Sequence, residues 1–211
     1  MPHLVFRVSL WLAAILSCFA VSTYALAHVG GDYRSLQAFF NPTDSCASPC
    51  WQGIRPGITD SLTAVDKLRA LPWVTGLYAI QGIVINDSYI RWKWNGKQPN
   101  IVDGERDGRM WFHNGTVYSI EIPLVISFGM VWGAFGSPQV ETTFKTPFSP
   151  PQVFYNAAYL NRTLQFSGIV ICPPTGYHLL SMRVDATIAT AKTTADALKA
   201  VKRLGCENGQ R

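Results

Sequence analysis

The chain has 211 residues, of which 48% are hydrophobic and 15% charged, with a formal net charge of +5. That length buries a real core as one domain or two small ones. The basic residues are scattered, without a Lys/Arg run or a basic helix face, which argues against nucleic acid as a partner.

The chain opens on a targeting pattern. Arg7 precedes an apolar stretch, and Val8 to Ala27 carries no charge. Ala25-Leu26-Ala27 fits the small-x-small rule for signal-peptidase cleavage. A retained anchor through residues 8–27 is the second reading, because twenty uncharged residues can span a bilayer. Lipid attachment at Cys18 is the third. All three deliver residues 28–211 to an extracytoplasmic place: secreted, periplasmic or anchored at the outer face of a membrane. Residues 28–45 read as a spacer with an apolar patch at Leu36, Phe39 and Phe40 that docks on the domain.

Cys46, Cys50, Cys172 and Cys206 lie beyond the signal, an even number in a disulfide-permissive compartment. Four cysteines allow three pairings. The short loop from Cys46 to Cys50 is sterically feasible, and a Cys172–Cys206 bridge would staple a terminal helix to the last strands; these two bridges are the expectation. The C-x3-C spacing, with no histidine beside it, argues against a zinc site.

The stretch Cys46 to Pro72 reads as a lid and first helix. Thr59 is placed to cap a helix with Leu62, Val65, Leu68 and Leu71 on one side, and Pro72 stops it. Strands follow at Leu77–Ile85 and Tyr89–Trp94; in the latter Ile90, Trp92 and Trp94 alternate with Tyr89, Arg91 and Lys93. Arg109–His113, Asn114-Gly115 and Thr116–Ile122 form the clearest hairpin signal in the chain, with Pro123 closing it. A strict two-residue loop pairs His113 with Thr116, Phe112 with Val117 and Trp111 with Tyr118. Ser127 then caps a helix over Phe128–Phe135, ended by Gly136-Ser137-Pro138. Phe144–Gln152 reads as a loop, with strands at Val153–Tyr155, Leu160–Phe166, Ile169–Cys172 and Tyr177–Val184 and a last helix at Thr194–Leu204. The fold class expected is α+β: two tandem modules, 46–123 and 124–190, each a helix plus an antiparallel meander. A C-terminal helix and tail (191–211) follow, and a signal or anchor segment (1–27) precedes.

Gly57-Ile58-Thr59, with Val65 and Leu68 on the following helix and a meander after it, resembles the SmpA/OmlA (BamE-like) outer-membrane assembly lipoproteins. Their motif runs Gly-Met-Thr-x-x-x-Val-x-x-x-Leu-Gly-x-Pro. Here Val65 lies one place later and the first helix ends Leu71-Pro72 without the Gly. The second helix has the Gly136-Ser137-Pro138 end but starts Ser127-Phe128-Gly129. Two such modules in tandem resemble the β-lactamase-inhibitor-protein fold, whose members bind proteins through the sheet. The resemblance covers most of residues 53–185.

Chemistry-bearing motifs are few. Asp103, Glu105 and Asp107, with Gly108 after them, have the start of a calcium loop, but the twelfth position is Asn114 and an ordinary turn is expected. No nucleophile elbow, zinc-protease or phosphate-loop motif is present, so neither an enzyme nor a cofactor is expected. Glu121 and Glu141 would make a carboxylate pair only if the fold joined them. Two functions remain from different classes. One is an exported non-catalytic protein-interaction or envelope-assembly module that binds a protein partner through an exposed sheet face. The other is a carbohydrate-binding or carbohydrate-degrading protein using exposed tryptophans. For the first, helices on one side of the strands leave Tyr89, Arg91, Met110 and Phe112 as the contact residues, with Trp111, Tyr118, Ile120 and Ile122 buried.

Overall fold

The Asn114-Gly115 turn takes positive φ at both residues, 49° and 75°, which matches the twist of a two-residue hairpin. It joins β3 (Gly108–His113) to β4 (Thr116–Ser127). The computed structural model describes residues 11, 15–18, 31–40, 46–47, 49–81, 87–145, 152–171 and 176–194. Before the hairpin come β1 (Val74–Gln81) and β2 (Asp87–Trp94). After it come β5 (Val140–Lys145), β6 (Gln152–Tyr159), β7 (Leu164–Ile171) and β8 (Arg183–Ala189). All eight form one antiparallel sheet in the order β1-β2-β3-β4-β8-β7-β6-β5.

This corrects the expected fold class. The protein is a predominantly antiparallel β structure with short helices packed on it, not two tandem helix-plus-meander modules. β4 and β8 pair from Ser119↔Ala189 to Ser127↔Arg183, with a register shift between Pro123 and Ser127, so one pair of strands runs through the position where a module boundary was expected. The expected limit at residue 123 falls inside β4. Pro123 does not close the strand, because β4 has there run past the end of β3. Its carbonyl accepts from Asp103 N at 3.0 Å, and the missing N–H points to that loop side and removes no bond to β8.

Four helices are described: α1 (Gly31–Phe40), α2 (Ser61–Ala70), α3 (Phe128–Phe135) and α4 (Gly176–Ser181). The apolar patch expected to dock does so from a helix, α1, whose Leu36, Phe39 and Phe40 are all buried. For α2 the cap is Asp60, not Thr59: its carboxylate accepts from Thr63 N at 2.9 Å, and that bond holds its pKa below the usual value. Thr59 instead accepts from Arg55 N at 2.8 Å in the preceding turn. Ala64 and Leu68 are buried while Leu62 is exposed, which rotates the buried stripe from the one expected. Residues 57–61 are tied to the hairpin by Gly57 N to Val117 O, Val117 N to Thr59 O and Ser61 N to Gly115 O. α3 has its expected limits and stops at Gly136, φ 74°.

Cys46 and Cys50 form a disulfide with Cα atoms 5.8 Å apart. The next four residues fold tightly, with Trp51 and Ile54 exchanging backbone hydrogen bonds of 2.9 and 2.8 Å. Both side chains are buried, and Trp51 stacks on Trp92 at 5.9 Å between ring centroids. Phe39, Trp73 and Trp94 complete this aromatic end of the core. Phe40, Phe135, Tyr159 and Phe166 form the other end. The core is one cluster joining α1, α2 and α3 to a single face of the sheet.

Three further expectations change. Leu160–Phe166 and Ile169–Cys172 are one strand, β7, preceded by a turn at Leu160–Arg162 with positive φ throughout. Tyr177–Val184 divides into α4 and the start of β8. β5, with its Val-x-Thr-x-Phe alternation, was not anticipated. Cys172 and Cys206, the centre of the loop at 146–151 and the last helix beyond Thr194 lie outside the described residues. Among the described residues no helix is long and apolar enough to cross a membrane.

Candidate functional site

With α1, α2 and α3 on one face, strand alternation sends the other set of side chains to the open face of the sheet. Cross-strand pairing there places Arg91 beside Arg109, Arg109 beside Glu121, Glu121 beside Thr187, and Thr187 beside Gln165. One step along, Pro123 neighbours Asp185, and Asp185 neighbours Ser167. Ile169 and Phe154 form the apolar side of the same surface. A groove of about 750 Å³ runs over β4, β8 and β7 between the Glu105–Asp107 loop and Phe154.

The charges in this groove neutralise one another. Arg106 grips Asp185 with both guanidinium nitrogens, at 2.7 and 2.6 Å, a fork that only arginine makes. The Asp185 carboxylate raises the Arg106 pKa further. Arg91 lies 3.6 Å from Asp107, Arg109 3.7 Å from Glu121 and Arg183 3.7 Å from Asp103. Three of the four pairs therefore tie the 103–107 loop to β2 and β8. Arg91 and Arg109 are like charges at directly opposed positions, and Asp107 and Glu121 offset their repulsion.

Glu121 is the perturbed acid of the groove. Burial raises its pKa first and Asp185 adds to the rise, while Arg109 and the indole of Trp111 act against it. Trp111 Nε1 nevertheless makes no hydrogen bond of normal geometry. Beyond Trp111 its ring lies 4.4 Å from that of Tyr89, giving the groove an aromatic shoulder at β2–β3.

The expected contact residues separate. Tyr89 and Arg91 stand on the open face. Met110 and Phe112 do not: they are 0% and 2% exposed and belong to the core. The cause is a β-bulge. His113↔Thr116 and Phe112↔Val117 pair as expected, but Trp111 then pairs with Ser119 because Tyr118 is the extra residue. The bulge keeps Ile120 and Ile122 in the core beside Met110 and turns Trp111 outward. Arg109, Trp111, Asp185 and the carboxylates of the 103–107 loop were missed as members of one surface. Their signal was the spacing of two that puts Arg109 with Trp111, and Arg183 with Asp185, on one face of a strand.

The calcium-loop carboxylates Asp103 and Asp107 are turned to arginines, and among the described residues no group of three His, Cys, Asp or Glu is arranged for a metal ion. Glu121 and Glu141 are not brought together: β8, β7 and β6 separate their strands, a span of roughly 19 Å at ordinary strand spacing. Glu141 instead adjoins Tyr155, whose hydroxyl pKa is raised by burial and then by that carboxylate. No family model, curated protein or solved structure matches the chain.

Proposed function

We propose that the chain is an exported, non-catalytic interaction module that holds a protein partner, in the cell envelope or outside the cell, against the open face of its sheet. The observation that carries the reading is the groove over β4, β8 and β7, with Tyr89 and Trp111 at one end, Ile169 and Phe154 at the other and arginine–carboxylate pairs between. Aromatic, arginine and aliphatic groups in one place are the composition of a protein-binding surface. Export is supported by the uncharged stretch Val8–Ala27 and by the Cys46–Cys50 disulfide. An envelope-assembly role draws on the resemblance of Gly57-Ile58-Thr59 and its helix to the BamE-like lipoproteins.

Of the strand tryptophans on which the carbohydrate reading draws, Trp92 and Trp94 are buried, which leaves Trp111 on the open face to support it. The test is site-specific photocrosslinking in cells from position 169 or 187 in the groove, with position 62 on the helical side as control. A discrete crosslinked protein from 169 and 187, absent from 62 and lost in Arg109→Glu, is the expected result. A product from 62 alone, or glycan in place of protein at 169, overturns it.

A further inference from the structure

We infer that the outer side of the helical layer, at α3 and α4, rests on a lipid bilayer. This inference goes beyond the partner reading and does not depend on it. α3 reads Phe-Gly-Met-Val-Trp-Gly-Ala-Phe and α4 Gly-Tyr-His-Leu-Leu-Ser, so neither contains an acidic, lysine or arginine residue. Such a surface interacts weakly with water and leaves large side chains out in it: Trp132 is 46% exposed, Tyr177 78% and Leu180 41%.

These residues form one patch because glycines let the helices close on one another. A Cβ on Gly129 of α3 would lie 2.9 Å from the Leu180 carbonyl of α4, and one on Gly133 would meet the Tyr33 ring of α1 at 2.5 Å. Trp132, between those two glycines in sequence, is exposed, while Phe128, Val131 and Ala134 are buried. Gln37 of α1 also donates to the Ala134 carbonyl. α1 is thus fixed to the helix that carries the patch.

The retained-anchor reading of residues 8–27 says what covers it. Ala27 ends the uncharged N-terminal stretch, and only His28, Val29 and Gly30 separate it from the first residue of α1. Three extended residues reach about 10 Å. The described residues of the stretch, Trp11, Ile15 and Leu16, expose their side chains, with Ile15 and Leu16 on a helical turn. A bilayer that holds this stretch therefore lies within one short tether of α1, and beside α1 is α3. Trp and Tyr side chains favour the water–lipid boundary, where an apolar ring and a polar tip are both accommodated. The groove is on the opposite side of the sheet and stays in water.

The experiment is hydroxyl-radical footprinting of the full chain at one copy per nanodisc of phosphatidylethanolamine and phosphatidylglycerol. Tyr78, on β1 away from the helices and 46% exposed, is the internal reference for Tyr177 at 78%. Tyr177 is expected to oxidise several-fold more slowly than Tyr78 despite its greater exposure, with Trp132 protected alongside it. In the double variant Tyr177→Asp, Leu180→Asp, Trp132 oxidation rises while Tyr78 is unchanged. Oxidation of Tyr177 at or above the rate of Tyr78 overturns the inference. Protection that requires several copies per disc also overturns it, and assigns the patch to a second copy of the chain. Trp132 protection that persists in the double variant overturns it as well.

Discussion

Gly108 and Trp92 are directly opposed on β3 and β2, and a Cβ on Gly108 would overlap the Trp92 indole. The glycine is required by its neighbour, not by its own backbone. Trp92 is wholly buried between Trp51 and Trp94 and has no room to retreat. Gly108→Ala is expected to destabilise the fold by about 1–3 kcal/mol, the usual cost of overpacking. Urea unfolding followed by tryptophan fluorescence measures it; an unchanged midpoint would show that the ring moves aside freely.

The corrected facing of α2 separates two leucines. Leu68→Ala opens the core and is expected to cost about 2–5 kcal/mol, since Leu68 is completely buried. Leu62→Ala at its exposed site is expected to stay within about 0.5 kcal/mol of the parent. Comparable losses from both would return α2 to the orientation read from the three-residue spacing of Leu62, Val65, Leu68 and Leu71.

Arg106→Lys keeps the charge and loses the fork on Asp185. Both side chains of the pair are partly exposed, so global stability is expected to fall by less than about 1 kcal/mol. The local effect is larger: amide exchange in residues 103–107 accelerates, while β4 and β8 are unaffected. Exchange at the parental rate would mean that Asp103 and Asp107 hold the loop unaided.

Glu121 has a definite pH sign. Its carboxyl pKa is raised in the folded chain above the ordinary 4.5, so the native state binds the proton more tightly than the unfolded state. Stability contributed by the protonated form is present at acid pH and declines as pH rises from that ordinary value through the raised one. Glu121→Gln removes the proton and is expected to flatten that decline, which urea midpoints between about pH 4 and 7 would reveal. A variant as pH-sensitive as the parent in that window would show that Glu121 is not the group responsible.

The parts of this fold legible from the sequence were those specified locally. Asn114-Gly115 marked its hairpin, Gly136 marked the end of α3, and the alternation of Ile90, Trp92 and Trp94 gave the buried side of β2. What escaped depends on distant partners. Nothing near Tyr118 says that it will bulge, yet one extra residue there moves Met110 and Phe112 from surface to core. α4 is only six residues long and is helical because it packs on α3 at Gly129, so its Leu-Leu pair read as strand. Pro123 looked like a terminus because its partner strand, β8, lies some sixty residues later in the chain. The groove was the least legible element, since its residues come from β3, β4, β6, β7, β8 and one loop and acquire a common setting only once the sheet is ordered.

The position of β8 has a consequence for how the protein comes into being. β8, the last strand in chain order among the described residues, fills the gap between β4 and β7. Until residues 183–189 are delivered, two strands in mid-sheet each present an unsatisfied row of backbone donors and acceptors. Such rows are templates for pairing with other chains, and closing them requires contacts of long sequence separation, which form slowly. The nascent chain is thus exposed to such pairing for as long as β8 is undelivered. A chain ending at Met182 is expected to be recovered as aggregate, whereas trimming beyond Thr194 keeps all eight described strands; sedimentation of the two truncations after refolding distinguishes them.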